Sequence, residues 1–116
     1  MIPIESAHFP VFAATHPGRV GKNNEDNFAV SAYQVGESDP TRSIVAIIAD
    51  GVGGHQAGEV ASSLAVEMIS HIIAESDASQ PLAALEEGFF QANEAIYSQA
   101  TISPSNAGMS TTAACA

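Results

Sequence analysis

Cysteine is all but missing. Cys115 stands alone among 116 residues, so no internal disulfide can form, and a reducing, cytoplasmic setting is the expectation. In its apolar surroundings this thiol reads as a small core residue. Positive charge is almost as scarce: three Lys and Arg stand against thirteen Asp and Glu, a net charge of −10. So acidic a chain repels nucleic acid and anionic membranes, and neither is expected as a partner. No apolar run approaches the length of a membrane span. Met1-Ile2-Pro3-Ile4-Glu5 lacks the basic and apolar regions of a signal peptide. Internal repeats and low-complexity tracts are also missing.

What is present is enough apolar residues, 46%, to build a core, within a length that allows at most one ordinary domain. The surplus acid has two readings. Most of it serves solubility, but Glu25, Asp26 and Asp50 sit in motifs rather than on helix faces, and they are candidates for a cation site.

The chain is organised around Ala49-Asp50-Gly51-Val52-Gly53-Gly54-His55-Gln56-Ala57-Gly58-Glu59. Ser43 to Ile48, β-branched and apolar, predicts a buried strand before it. A loop carrying one carboxylate, one histidine and four glycines follows, and glycine lets a backbone approach a ligand closely. Commoner glycine motifs fail here. Gly53 and Gly58 have the outer spacing of a P-loop, but Glu59 stands where that loop needs Lys and would repel a phosphate. The dinucleotide pattern fails because Gln56 occupies its third glycine position. His55 and Glu59 could share a helix face as metal ligands, yet no second histidine accompanies them. Two readings remain: a plain turn, or Asp50 as a hard oxygen ligand with the Gly51 carbonyl free to turn toward the same cation, as Mg²⁺ and Mn²⁺ prefer.

Around this loop the spacing predicts a first strand over residues 5–15, bulged at Pro10. A second is predicted over Phe28 to Val35, and another opens at Met109. Val60, Ala61, Leu64, Ala65, Met68, Ile69, Ile72 and Ile73 form one stripe of a helix from about Gly58 to Glu75, with His71 off it. A second helix begins at Pro81, and its Leu82, Leu85, Phe89, Ala92, Ile96 and Ala100 are expected in the core. If strands two and three pair as neighbours, Glu25 and Asp26 fall beside Asp50. Three carboxylates together repel unless a cation or protons neutralise them.

Gly18-Arg19-Val20, Asn24-Glu25-Asp26-Asn27-Phe28, the Asp50 loop with Gly58-Glu59, and Gly108-Met109-Ser110-Thr111-Thr112 together resemble the bacterial branch of the metal-dependent protein phosphatases (PPM, type 2C). The resemblance implies an α+β fold, the N-terminal half of an α-β-β-α sandwich in which antiparallel sheets are flanked by helices. It implies hydrolysis of phosphoserine and phosphothreonine in a phosphorylated protein substrate. It also implies two Mg²⁺ or Mn²⁺ ions per complete site: Asp50 bridging them, the Gly51 carbonyl on one, and Glu25 and Asp26 binding that ion or its waters. A water between the metals would attack phosphorus in line. His55 would be general acid to the leaving alkoxide or would shape the loop.

Two departures stand out. Gly21 occupies the position where the family usually has a phosphate-binding arginine; Arg19 and Lys22 lie close by as substitutes, although lysine lacks the bidentate fork. Ser110 replaces a usual glycine. The family's later metal-binding aspartates have no counterpart after Asp77. Residues 1–116 are therefore expected to be the N-terminal part of one phosphatase domain, inactive in isolation. The alternative is a non-catalytic phosphatase-like module that binds a protein partner. Oligomeric state is not legible in the sequence.

Overall fold

A computed structural model of the chain describes residues 1–20, 23–54 and 56–116. Four antiparallel strands form one sheet in the order of the sequence: β1 (Ile2–Pro3), β2 (Asp26–Gln34), β3 (Arg42–Val52) and β4 (Ser110–Cys115). Between β3 and β4 the chain forms α1 (Ala57–Glu75), α2 (Pro81–Ile102) and a 3₁₀ turn over Pro104–Asn106. Helix α1 lies on one face of the sheet, and α2 packs chiefly on α1.

The β2–β3 hairpin closes through Gly36-Glu37-Ser38-Asp39-Pro40, where Gly36 and Asp39 exchange backbone hydrogen bonds of 3.1 and 3.2 Å. Asp39 also accepts the Thr41 N–H at 3.0 Å, and the bonds from Thr41 hold its carboxyl below the usual carboxylate value. Its register sets Asp26 opposite Asp50 and Gln34 opposite Arg42. β3 runs further than its apolar stretch predicts, through Asp50 and Gly51 to Val52. The reason is pairing on both sides: residues 47–52 bond to β4 while 42–50 bond to β2. A central strand held by two neighbours keeps a glycine that local propensity would place in a turn.

The strand expected over residues 5–15 is not formed. Only Ile2–Pro3 pairs with β2, continued by Ile4 N–H donating to Ala32 at 2.9 Å. Residues 5–15 have no neighbouring strand to satisfy their backbone, and Pro10 removes one donor. Val11 to His16 instead run past Phe28, Val30 and Ile48 on the side of the sheet away from α1.

Ile47, Ala49, Ala65, Val66, Ile69, Ile73 and Ala92 form the main core. A second buried group, Ala57, Ala61 and Met109, closes the end where α1 begins. α1 and α2 approach closely because a Cβ on Gly88 would lie 3.3 Å from the Ile69 Cα. By length and composition α1 would pass for a membrane span; its place between sheet and α2 accounts for that apolarity. It has no basic residue in its last turn. The Met1 ammonium takes that role, donating to the carbonyls of Ala74 at 2.8 Å and Ser76 at 2.7 Å, a cation at the negative end of the helix.

The predicted stripe of α1 is sound, since Ala61, Ala65, Ile69 and Ile73 are buried. That of α2 is only partly so. Ala92 is buried, but Leu82 is 69% exposed and Phe89 39%, because α2 is the outer layer and covers α1 along a narrow strip. His71 is exposed and Cys115 half-buried at the core margin, where burial raises its thiol above the ordinary value of 9.0.

Candidate functional site

Alternation along β3 sorts its residues by face. Ile47, Ala49 and Gly51 are buried, while Ile48, Asp50 and Val52 are exposed. Asp50 therefore stands on the face away from α1, directly across from Asp26 on β2 and from Thr112 on β4. Directly opposed residues in an antiparallel pair share a face, with Cβ atoms roughly 5 Å apart. Two carboxylates at that spacing repel by about 1 kcal/mol even in water. The one described cation in the sheet, Arg42, lies eight residues from Asp50 along β3, roughly 26 Å away.

Asn24 shapes the approach to Asp26: its side-chain oxygen accepts the Asp26 N–H at 3.1 Å, and its amide donates to Thr15 Oγ1 at 2.8 Å. Asn27 donates to Ser63 Oγ at 3.0 Å, tying the start of β2 to α1. Thr111 Oγ1 donates to the Asp50 carbonyl at 2.9 Å. Thr111 and Thr112, which no motif chemistry marks as site residues, lie opposite Gly51 and Asp50. Their signal was a β-branched pair opening the last strand, and only the register shows that they flank Asp50.

Glu25 and Gly51 meet on the helix side. The Gly51 N–H donates to the Glu25 carbonyl at 3.2 Å. A Cβ on Gly51 would overlap the Gly58 carbonyl oxygen and lie 2.7 Å from that of Glu25. Only glycine fits there, because three backbones converge. Gly53 is similarly confined, with a Cβ there 2.8 Å from Ala57 Cβ and from the Gly58 nitrogen.

A cleft of ≈ 720 Å³ gathers the predicted acids: Glu25, Asp26, Asp50 and Gly51 line it, with His16, Pro17, Gly18, Asn23, Asn24, Gly53 and Gly54. Arg19 follows Gly18 in an exposed bend and does not line the cleft. His55, Lys22 and Gly21 lie outside the described residues. Among the described residues no three His, Cys, Asp or Glu side chains converge as a metal-holding group. The donors in place are carboxylate and backbone carbonyl oxygens beside a cradle that a single Cβ would fill. That chemistry suits a hard divalent cation, but it supplies fewer than the about six ligands such an ion takes.

The sheet order, the loop at the end of its central strand and the acids around it define an α+β protein with an acidic cleft at one end of its sheet. The protein phosphatase 2C family matches residues 15–116, and the chain belongs to that family. It is 34% identical over 100 residues to the serine/threonine protein phosphatase PstP of Mycobacterium tuberculosis, a match covering 86% of this chain and 17% of PstP. The serine/threonine phosphatase stp of Listeria monocytogenes is 43% identical over 56 residues, 48% of this chain and 20% of that protein. The catalytic domain of PstP, solved in complex with two manganese ions, superposes with a TM-score of 0.68 at 33% identity, covering 84% of this chain and 38% of the neighbour. The chain thus spans about a fifth of the curated relatives and 38% of that solved domain. The sheet and its two helices correspond to part of that domain, as the α+β half-sandwich reading requires.

Proposed function

We propose that the protein is a metal-dependent phosphatase that hydrolyses phosphoserine and phosphothreonine in protein substrates. The observation that carries this reading is the row Asp26–Asp50 at the end of the central strand, with Gly51 and Glu25 beside it in one cleft. The names of the relatives and the two manganese ions in the solved neighbour support it.

Asp50 and the Gly51 carbonyl would hold the cations, Mg²⁺ or Mn²⁺, and Glu25 and Asp26 would bind one of them or its waters. When bound, such ions lower the pKa of water and neutralise charge developing on a phosphoryl group. The chain's own part is to gather negative charge where a divalent cation must sit, and to keep side chains off the backbone at Gly51. The expectation that Arg19 and Lys22 meet the substrate phosphate would need Arg19, which stands outside the cleft, to turn toward it. His55 would protonate the leaving alkoxide or hold the loop in shape.

Asp50→Asn in the full-length protein tests the reading. Mn²⁺-dependent release of phosphate from a phosphothreonine peptide should fall about 100-fold or more, as for loss of an electrostatic group acting on the transition state. Wild-type turnover would overturn it.

A second reading, a phosphatase-like module that binds a partner without catalysis, is favoured by Gly21 at the family's usual arginine position. Gly21→Arg separates the two. A several-fold lower KM for the phosphopeptide marks a weakened enzyme, since arginine restores a bidentate phosphate contact. Unchanged, negligible hydrolysis in both forms marks a binding module.

A further inference from the structure

Gly58 is buried at the second position of α1, although glycine is a poor helix former. Its surroundings supply a reason. A Cβ added there would overlap Glu25 Oε2, lie 2.7 Å from Glu25 Cδ and lie 2.9 Å from the Gly51 carbonyl carbon. In return, the Gly58 carbonyl oxygen fills the space that a Cβ on Gly51 would need. The first turn of α1 is thus pressed against two groups at once: the carboxylate that follows Asn24 and the peptide that follows Asp50. α1 is itself fixed by core contacts along its length, so its first turn is a rigid seat.

We infer that Gly58 is a positioning residue, whose missing side chain lets α1 set the Glu25 carboxylate and the Gly51 carbonyl where a divalent cation is held. The inference rests on the metal-dependent reading above. It differs from a packing role in what it predicts for Gly58→Ala. Alanine favours the helix, so a packing account expects a change in stability, whereas a seating account expects displaced donors and weakened cation binding on an intact fold.

The test uses the full-length protein, with Mn²⁺ as the probe. In the metal-free crystal structure of Gly58→Ala, the Glu25 carboxylate should move. By calorimetry the Kd for Mn²⁺ should rise about ten-fold or more, as for other groups that orient a metal's ligands, while Tm in EDTA stays within about 5 °C of wild type. In a Glu25→Ala background the same substitution should raise Kd by less than about three-fold, because the two changes share a contact and are not additive. An unmoved carboxylate with wild-type Mn²⁺ affinity overturns the inference, and so does an equal loss of affinity in both backgrounds. If Gly58→Ala fails to fold, Glu25→Asp keeps the inference testable: the shorter side chain draws the carboxylate off the seat at Gly58, so the Kd for Mn²⁺ should rise about ten-fold or more, and wild-type affinity overturns the inference. A wild type that binds no Mn²⁺ sinks the phosphatase reading instead, and displacement of Glu25 then still decides whether Gly58 seats it.

Discussion

The two faces of β3 are made by alternate residues of one strand, yet they do different things. Toward α1 stand Ile47, 1% exposed, and Ala49, 0%, followed by Gly51, against which the helix backbone rests. Away from α1 stand Ile48, 65% exposed, Asp50, and Val52, 60% exposed. The buried face fixes where the strand end lies; the open face presents the carboxylate. Because side chains alternate with a period of two, one step of register would bury Asp50 under α1 and carry Ile47 to the open face. Packing on one side thus places chemistry on the other.

That division can be tested from its strongest consequence downward. Asp50→Asn is expected to remove activity while leaving the fold alone, since Asp50 is exposed and its side chain is not part of the core. Substitutions on the two faces should then differ in stability. Ile69→Ala, which empties the helix side of the core, should cost about 2–5 kcal/mol, read as a lower urea midpoint. Ile48→Thr should leave that midpoint nearly unchanged, because Ile48 is 65% exposed on the open face. Equal losses from the two would refute the contrast between the faces.

Cys115 gives the smallest effect. Burial raises its thiol above 9.0, so the folded chain favours the neutral form. The stability this contributes is fully present below about pH 9 and is lost as pH rises through the folded-state value. Labelling by a thiol reagent at pH 8 should accordingly be slower in the folded protein than in urea, and equal rates would show an unburied thiol.

Much of the fold was legible because it is local. The α1 stripe repeats at helical spacing, Pro81 opens α2, and the β-branched runs at Phe28 and Ser43 mark strands; each lies within a residue or two of its place, apart from the far end of β3. Residues 5–15 misled because Phe9, Val11 and Phe12 have strand-like composition but no adjacent strand to bond, and composition carries no information about pairing. Leu82 misled in the same way: its spacing marks a helix, but how much of that helix another layer covers depends on where α2 is placed. For the candidate site, the acidic and glycine-rich motifs were legible as residue types, and Glu25, Asp26, Asp50 and Gly51 line one cleft. Thr112 opposite Asp50, and Gly58 against Glu25, were not legible, because both depend on contacts between segments far apart in sequence.

Residue chemistry and short-range spacing determined a great deal by themselves: a net negative chain, two amphipathic helices, an acidic motif before one strand and a glycine-rich motif after another; the resemblance of those motifs, borne out by the family match, assigned the phosphatase 2C family. Tertiary structure alone decided that Asp26 and Asp50 face each other, that Asp50 belongs to a strand held from both sides, that α1 leaves no room for a side chain at Gly51, and that Glu25 and Gly51 crowd the place of one at Gly58. The physical reason is one of range. Periodicity and turn chemistry act over a few residues, whereas register and the close approach of backbones are set by packing between distant parts of the chain.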